Sequence, residues 1–182
     1  MVNNGLICND GLYEMDFPLL EEQAADPDAK IMILCSPHNP VGRVWTKEEL
    51  ARVGEICKKN NVLVIADEIH SDLVYAGYVH TPFALASDAP HLVCTSLGKT
   101  FNVAGLRLAN IFSSSAELKK QYDQEIDAYS YSASNTFGLE MVQAAYSPEG
   151  EAWLEELLVY LQGNVEVVSE WCQKHNVGFT AP

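Results

Sequence analysis

The chain has 182 residues, 48% of them hydrophobic, enough for one domain with a sizeable core. Its 25 acidic residues against 11 basic ones leave a net charge of −14, which repels phosphate backbones and anionic lipid and argues against nucleic-acid or membrane binding. No apolar run approaches the roughly 18 residues that span a bilayer, and "MVNNGLICND" lacks the basic start and apolar centre of a signal peptide, so a cytoplasmic protein is expected.

In chain order, "NNG" at 3–5 and "NDG" at 9–11 read as hairpin turns around a strand, Leu6-Ile7-Cys8. Only Met1 and Val2 precede the first turn, so its incoming strand is expected to lie outside the chain. The short apolar runs "IMILC" (31–35), "VLVIA" (62–66), "LVCTSL" (92–97) and "LANIF" (108–112) fit strands covered on both faces, as in a parallel sheet flanked by helices. Between the first two lies "TKEELARVGEICKKNN", where Thr46 and Glu49 form a capping box and Leu50, Val53, Ile56 and Cys57 an apolar stripe. That is a β-α-β unit. The C-terminal third reads as helical: "SAELKKQYDQEI", a segment around 137–146, and a stretch from Glu151 to about Lys174, with Pro148 between the last two. The apolar pattern of "WLEELLVYLQGNVEVVSEW" predicts the core face of a long helix. "NVGFTAP" begins a new extended segment, so the chain is expected to be cut at both ends from something larger. Its five cysteines are widely spaced with no C-x-x-C pair, as reduced thiols would be.

Three stretches lie at or just beyond strand C-termini, where open α/β sheets bind ligands: "CSPHNPVGRVW" (35–45), "IADEIHSDL" (65–73) and "TSLGKTFNVAGLR" (95–107). A lysine at a strand end, Lys99, with the hydroxyl of Ser96 and the guanidinium of Arg107 nearby, suits a cofactor carrying both an aldehyde and a phosphate. The lysine forms a Schiff base while the other two hold the phosphate. Pyridoxal phosphate is such a cofactor. It also needs an acid at its pyridine nitrogen, for which Asp67 is the candidate, and a donor near its ring oxygen, for which Asn39 between Pro37 and Pro40 fits.

These stretches resemble the fold-type I pyridoxal-phosphate enzymes of the class I/II aminotransferase family, and "SLGKTFNVAGLRLA" fills that family's lysine signature. The resemblance covers nearly the whole chain. It implies an α/β fold, the three-layer α/β/α large domain, with Lys99 as anchor, Ser96 and Arg107 on the phosphate, Asp67 on the pyridine nitrogen and Asn39 on the ring oxygen. It implies that residues 1–175 are a partial cofactor domain and 176–182 the start of a connection to a small domain. It also implies a homodimeric parent acting on a small amino-acid substrate. Many members place a tyrosine three residues after the aspartate, in contact with the ring oxygen; here His70 stands there, either bonded near the cofactor or packed structurally, a feature that with "SPHNPVGRVW" resembles the cystathionine β-lyase or cysteine C–S lyase branch. The implied activity is β-elimination to pyruvate, ammonia and a thiol, with Lys99 as acid/base. An aminotransferase is the alternative, and a catalytically incompetent cofactor-domain fragment a third reading.

Plainer readings stand beside these. Asp67, Glu68, His70 and Asp72 offer metal-ligand chemistry, but strand alternation sends Asp67 and Glu68 to opposite faces, so no metal is expected. Glu68 reads as a structural hydrogen-bonding group, Ser96 also as a turn cap, and His38 as a loop residue beside the cofactor face. "SYSASNTFG" (130–138) reads either as a substrate entrance or as a helix cap. A sheet without its neighbouring strands would expose edges and apolar faces, so self-association is expected.

Overall fold

A computed structural model describes residues 1–131 and 135–182. Strands β1 (Ile7–Asn9) and β2 (Leu12–Glu14) form an antiparallel hairpin. Its turn puts Asp10 at φ 49° and Gly11 at φ 85°, the positive pair that a two-residue hairpin turn of this hand needs. The "NNG" expectation fails, because Gly5 does not take positive φ. The two asparagines pin the N-terminal segment to the start and body of the next helix instead: Asn4 Nδ2 donates to the Asp16 carbonyl, and Gln23 Nε2 donates to the Asn3 carbonyl. That helix, α1 (Phe17–Ala24), is not expected from the sequence pattern. Asp16 caps it by accepting the Leu19 N–H, and a proline opens its first turn.

The β-α-β unit is present. Strands β3 (Ile31–Cys35), β4 (Leu63–Asp67) and β5 (His91–Thr95) run parallel, with Ile33 beside Ile65 and Ile65 beside Leu92. Helix α2 (Lys47–Lys59) crosses between the first two and carries the expected box. Thr46 Oγ1 accepts the Glu49 N–H at 3.1 Å, and Glu49 Oε2 accepts the Thr46 N–H at 2.8 Å. Glu48 and Glu49 in the first turn and Lys58 and Lys59 in the last complement the helix dipole. The stripe Leu50, Val53, Ile56 and Cys57 is buried in one cluster with Leu34, Val64, Ala66 and Val93 of the sheet. Trp45 and Phe83, 1% and 0% exposed, complete the core, the latter at the start of the short helix α3 (Phe83–Ala86).

Two strand expectations are corrected. Strand β6 (Asn110–Ser113) pairs antiparallel with β5, so the sheet, ordered β3-β4-β5-β6, is mixed rather than parallel. A parallel return needs a crossover of a dozen or more residues that carries the chain back along the sheet. The link after β5 instead holds one helical turn, α4 (Leu97–Thr100), and a 3-10 turn, Ala104–Leu106, and reverses the chain on the spot. The sheet is also not covered on both faces within the described residues: Met32 and Leu34 point to the core, whereas Ile31 and Ile33 are 57% and 67% exposed.

The C-terminal part holds α5 (Ala116–Ala128), α6 (Thr136–Ala145) and α7 (Pro148–Lys174). Pro148 opens α7 instead of lying ahead of it, and Ser147 caps the helix by accepting the Gly150 N–H. The apolar face of α7 is not a core face here: among its described residues only Cys172 is buried, while Tyr160, Val167 and Trp171 stand exposed. Among the described residues no helix is long and apolar enough to cross a membrane, and all five cysteines are free thiols.

Candidate functional site

Parallel register brings the ends of three strands to one edge, with Cys35, Asp67 and Cys94 side by side. Each strand end feeds one of the three stretches singled out in the sequence.

Beyond β3 the chain folds into a tight loop, closed by His38 N–H to the Arg43 carbonyl and Gly42 N–H to the His38 carbonyl, both 2.8 Å. The Ser36–Pro37 and Asn39–Pro40 peptide bonds are cis. Gly42 sits at φ +69° with Pro182 packed against it; a Cβ there would lie 2.3 Å from the Pro182 Cα. Trp45 ties the loop back to the sheet, its Nε1 donating to the Cys35 carbonyl at 2.9 Å. The Arg43 guanidinium lies over the Trp45 ring, donates to both oxygens of Glu49 at 2.8 and 2.9 Å, and reaches the Tyr13 carbonyl in the hairpin. Glu49 therefore serves the α2 cap and this loop together. The arrangement leaves Asn39 at the exposed tip. His38 packs edge-on against Trp45, and burial holds its imidazole below the usual range.

Asp67 ends β4, half-buried between two thiols. Burial pushes both thiols up, and the Asp67 charge adds to the shift; at Cys35 the Asn39 N–H, bonded to the sulfur at 3.4 Å, pulls partly the other way. Sequence reading missed this bracketing, although the alignment of two strand-end cysteines with Asp67 was a readable signal. Glu68 turns inward, as strand alternation requires, and is 2% exposed. Its Oε1 accepts the Phe83 N–H at 2.7 Å and its Oε2 meets His80 Nε2 at 2.9 Å, which bears out its structural reading. No group of three or more metal-binding side chains occurs among the described residues.

Beyond β5, Ser96, Lys99 and Arg107 line one cavity of about 120 Å³ with Ile69 and Leu108. Lys99 is exposed between buried Gly98 and Thr100, and the chain then passes through Asn102 and Arg107 at φ 55° and 49°, left-handed positions rare for residues with a side chain. Neither Lys99 nor Arg107 forms an ion pair among the described residues. Ser96 Oγ accepts the Gly98 N–H at 3.0 Å and donates its proton to the Leu108 carbonyl at 2.7 Å. It therefore caps the turn, and to donate elsewhere its hydroxyl must rotate.

Asn39 and His70 line a different, larger cleft of about 760 Å³, bounded by the hairpin, Tyr75, Tyr78 and the last four residues of the chain. The structure thus gathers five of the six candidates in two groups, and Asp67 lines neither cavity. Ser96, Lys99 and Arg107 share the small cavity, and Asn39 and His70 the large one. The segment from Asp67 through Ile69 to His70 runs between them. Among the described residues His70 Nδ1 is buried without a hydrogen-bond partner. Of the 130–138 segment, residues 132–134 lie outside the described residues; Asn135 caps α6 through the Gly138 N–H and donates to the Leu106 carbonyl at 2.7 Å.

Comparison with known proteins gives consistent results. The profile of the aminotransferase class I and II family matches residues 10–182. Cystathionine beta-lyase PatB of Bacillus subtilis is 39% identical over 168 residues, 91% of this chain and 43% of that protein. Protein MalY of Escherichia coli is 33% identical over 165 residues, 90% of this chain and 41% of that protein. The PLP-bound C-S lyase of Staphylococcus hominis superposes with a TM-score of 0.87 at 36% identity, over 95% of this chain and 44% of that one. The chain thus spans less than half the length of these relatives.

Proposed function

From a chain that belongs to the aminotransferase class I and II family, a family of pyridoxal-phosphate enzymes, we propose the cofactor-holding part of a carbon–sulfur β-lyase. The reaction would eliminate a thiol from a cystathionine- or cysteine-type amino acid, and one water would then convert the remaining aminoacrylate to pyruvate and ammonia. The observation that carries this reading is the amine of Lys99, which forms no ion pair among the described residues, in one cavity with Arg107, a sheet strand away from the Asp67 carboxylate.

The residues present fit the cofactor chemically. Lys99 offers an amine to an aldehyde, Arg107 a guanidinium to a phosphate, Asp67 a carboxylate to a pyridinium, and His70 a buried ring nitrogen without a partner among the described residues. Ser96 would join the phosphate group's holders once its hydroxyl turned from Leu108, and Asn39 would offer its amide to the ring oxygen. When bound, pyridoxal phosphate supplies an electron sink for the charge left at the substrate Cα. Lys99 would anchor the cofactor and, as a free amine, would take the Cα proton. Asp67 keeps a positive charge on the ring nitrogen favourable. We further propose that residues 1–175 form the cofactor domain and 176–182, which follow α7 without regular structure, lead out of it. The assembled protein would be a homodimer.

Borohydride reduction of the chain with pyridoxal phosphate, followed by peptide mass spectrometry, tests the anchor. Selective label on Lys99, absent from Lys99→Ala, is expected. Scattered label that survives the substitution would favour the incompetent-fragment reading. The family's name keeps an aminotransferase as the second reading. Product analysis of a protein of the relatives' full length decides: pyruvate with a free thiol for the lyase, a keto acid that retains sulfur for the transaminase.

A further inference from the structure

Residues 69–82, between β4 and α3, contain neither helix nor strand, yet they carry His70 and contribute to both cavities. A segment of this length without regular structure needs other ties. Two carboxylates supply them. At its base Glu68 binds the Phe83 N–H and His80, which closes the loop on itself. Near its start Asp72 reaches away: its Oδ2 accepts the hydroxyl of Thr100 at 2.9 Å. Thr100 is the residue after Lys99 and is 2% exposed, so its hydroxyl must find a partner inside the protein. Helix α4, which carries Lys99, is a single turn, and a lone turn has little stability of its own. The Asp72 charge also faces Tyr146 at the end of α6, whose phenol is pushed up by burial first and by Asp72 second.

We propose that Asp72 is a positioning residue: through Thr100 it ties the His70 loop to the turn that carries Lys99, so the amine and the imidazole hold one mutual placement. This rests on Lys99 as the cofactor-bearing lysine. The bond joins segments that line the two cavities, through side chains that line neither, and no other described side-chain hydrogen bond links the loop to α4. Substrate and cofactor chemistry then depends on a carboxylate that touches neither.

The test compares the wild-type chain with Asp72→Ala, Asp72→Asn and Thr100→Val by two readouts. The first is amide hydrogen exchange without cofactor, over peptides covering 69–82, 97–107 and, as an internal reference, α2. The second is the share of borohydride-trapped pyridoxal phosphate found on Lys99 at limiting cofactor. Asp72→Ala is expected to exchange about tenfold faster in both the 69–82 and 97–107 peptides, with α2 unchanged, and to lose most of its selectivity for Lys99. Asp72→Asn keeps an acceptor oxygen and is expected to restore both readouts. Thr100→Val removes the other end of the same bond and should match Asp72→Ala. Faster exchange in one segment only, equal loosening of α2, or failure of Asp72→Asn to rescue would overturn the proposal. If the wild-type chain shows no selective label on Lys99 while exchange behaves as expected, the lysine reading fails and the tie stands. Selective wild-type label with flat exchange in both Asp72→Ala and Thr100→Val overturns the tie and leaves the lysine reading standing.

Discussion

The sheet with α1–α3 and the C-terminal helices α5–α7 are built from equally apolar sequence, but only the first closes a core. Leu50, Val53, Cys57, Val64, Ala66 and Phe83 are each 0% exposed, whereas among the described residues α5 buries none and α7 only Cys172. Apolar periodicity therefore states which face of an element seeks cover. It does not state whether the cover lies within the same chain. The candidate site falls on the seam: Asn39 and Asp67 hang from the closed half, while the Lys99–Arg107 turn leads into the open one.

Several measurements press on this contrast. The exposed Tyr160, Val167 and Trp171 on α7, with Ile31 and Ile33 on the sheet, form large uncovered apolar surface. Light scattering is expected to show species above the monomer mass; a clean, stable monomer would break the argument at its root. In the closed half Phe83→Ala should cost about 3–5 kcal/mol by denaturant unfolding. Trp153→Ala, at a ring that stacks on Phe101 but is 47% exposed, should cost less than about 1.5 kcal/mol. Equal losses would erase the distinction. The helix caps provide a control, since Thr46→Ala and Ser147→Ala remove like bonds in the two halves and should each cost their helix about 1 kcal/mol. Similar values would locate the difference in packing, not in helix ends.

A subtler contrast concerns the thiols. Burial pushes Cys57 up to about 11 from 9.0, so the folded state holds its proton where the unfolded state has lost it. This contribution to stability is full below pH 9.0 and is lost as pH rises towards about 11. Iodoacetamide should modify exposed Cys8 well before Cys57, and simultaneous labelling would contradict the closed core. Smallest of all, Lys58→Ala deletes an exposed pair with Asp88, whose carboxyl the lysine holds below its usual range through a hydrogen bond and charge. The unfolding midpoint near neutral pH should not move measurably.

Legibility in the sequence follows locality. Helix α2 can be read because Thr46, Glu49 and the Leu50–Cys57 stripe act within a few residues of one another. The strand runs match β3–β6 to within a few residues for the same reason. Helix α1 escapes because eight residues opened by Phe17-Pro18 show too little periodicity to stand out. The direction of β6 is not legible, since it depends on how the link turns and not on the strand's own residues. At the site the residue types of Lys99, Ser96, Arg107 and Asp67 announce themselves. The Arg43 contact with Tyr13 spans 30 positions and the Asp72 contact with Thr100 spans 28, and no local pattern encodes either.

The reversal between β5 and β6 has a consequence for how this protein can change over time. Thr95 and Asn110 face each other across the ladder, and everything between them, Lys99 and Arg107 included, is a loop counted out between two fixed rungs. One inserted or deleted residue would either slip β6 by a register step, turning Ile111 and Phe112 to opposite faces, or be absorbed by the loop and shift the amine relative to the guanidinium. The spacing of two charged groups and the alignment of an edge strand are thus a single quantity, open to substitution of residues but closed to a change in their number.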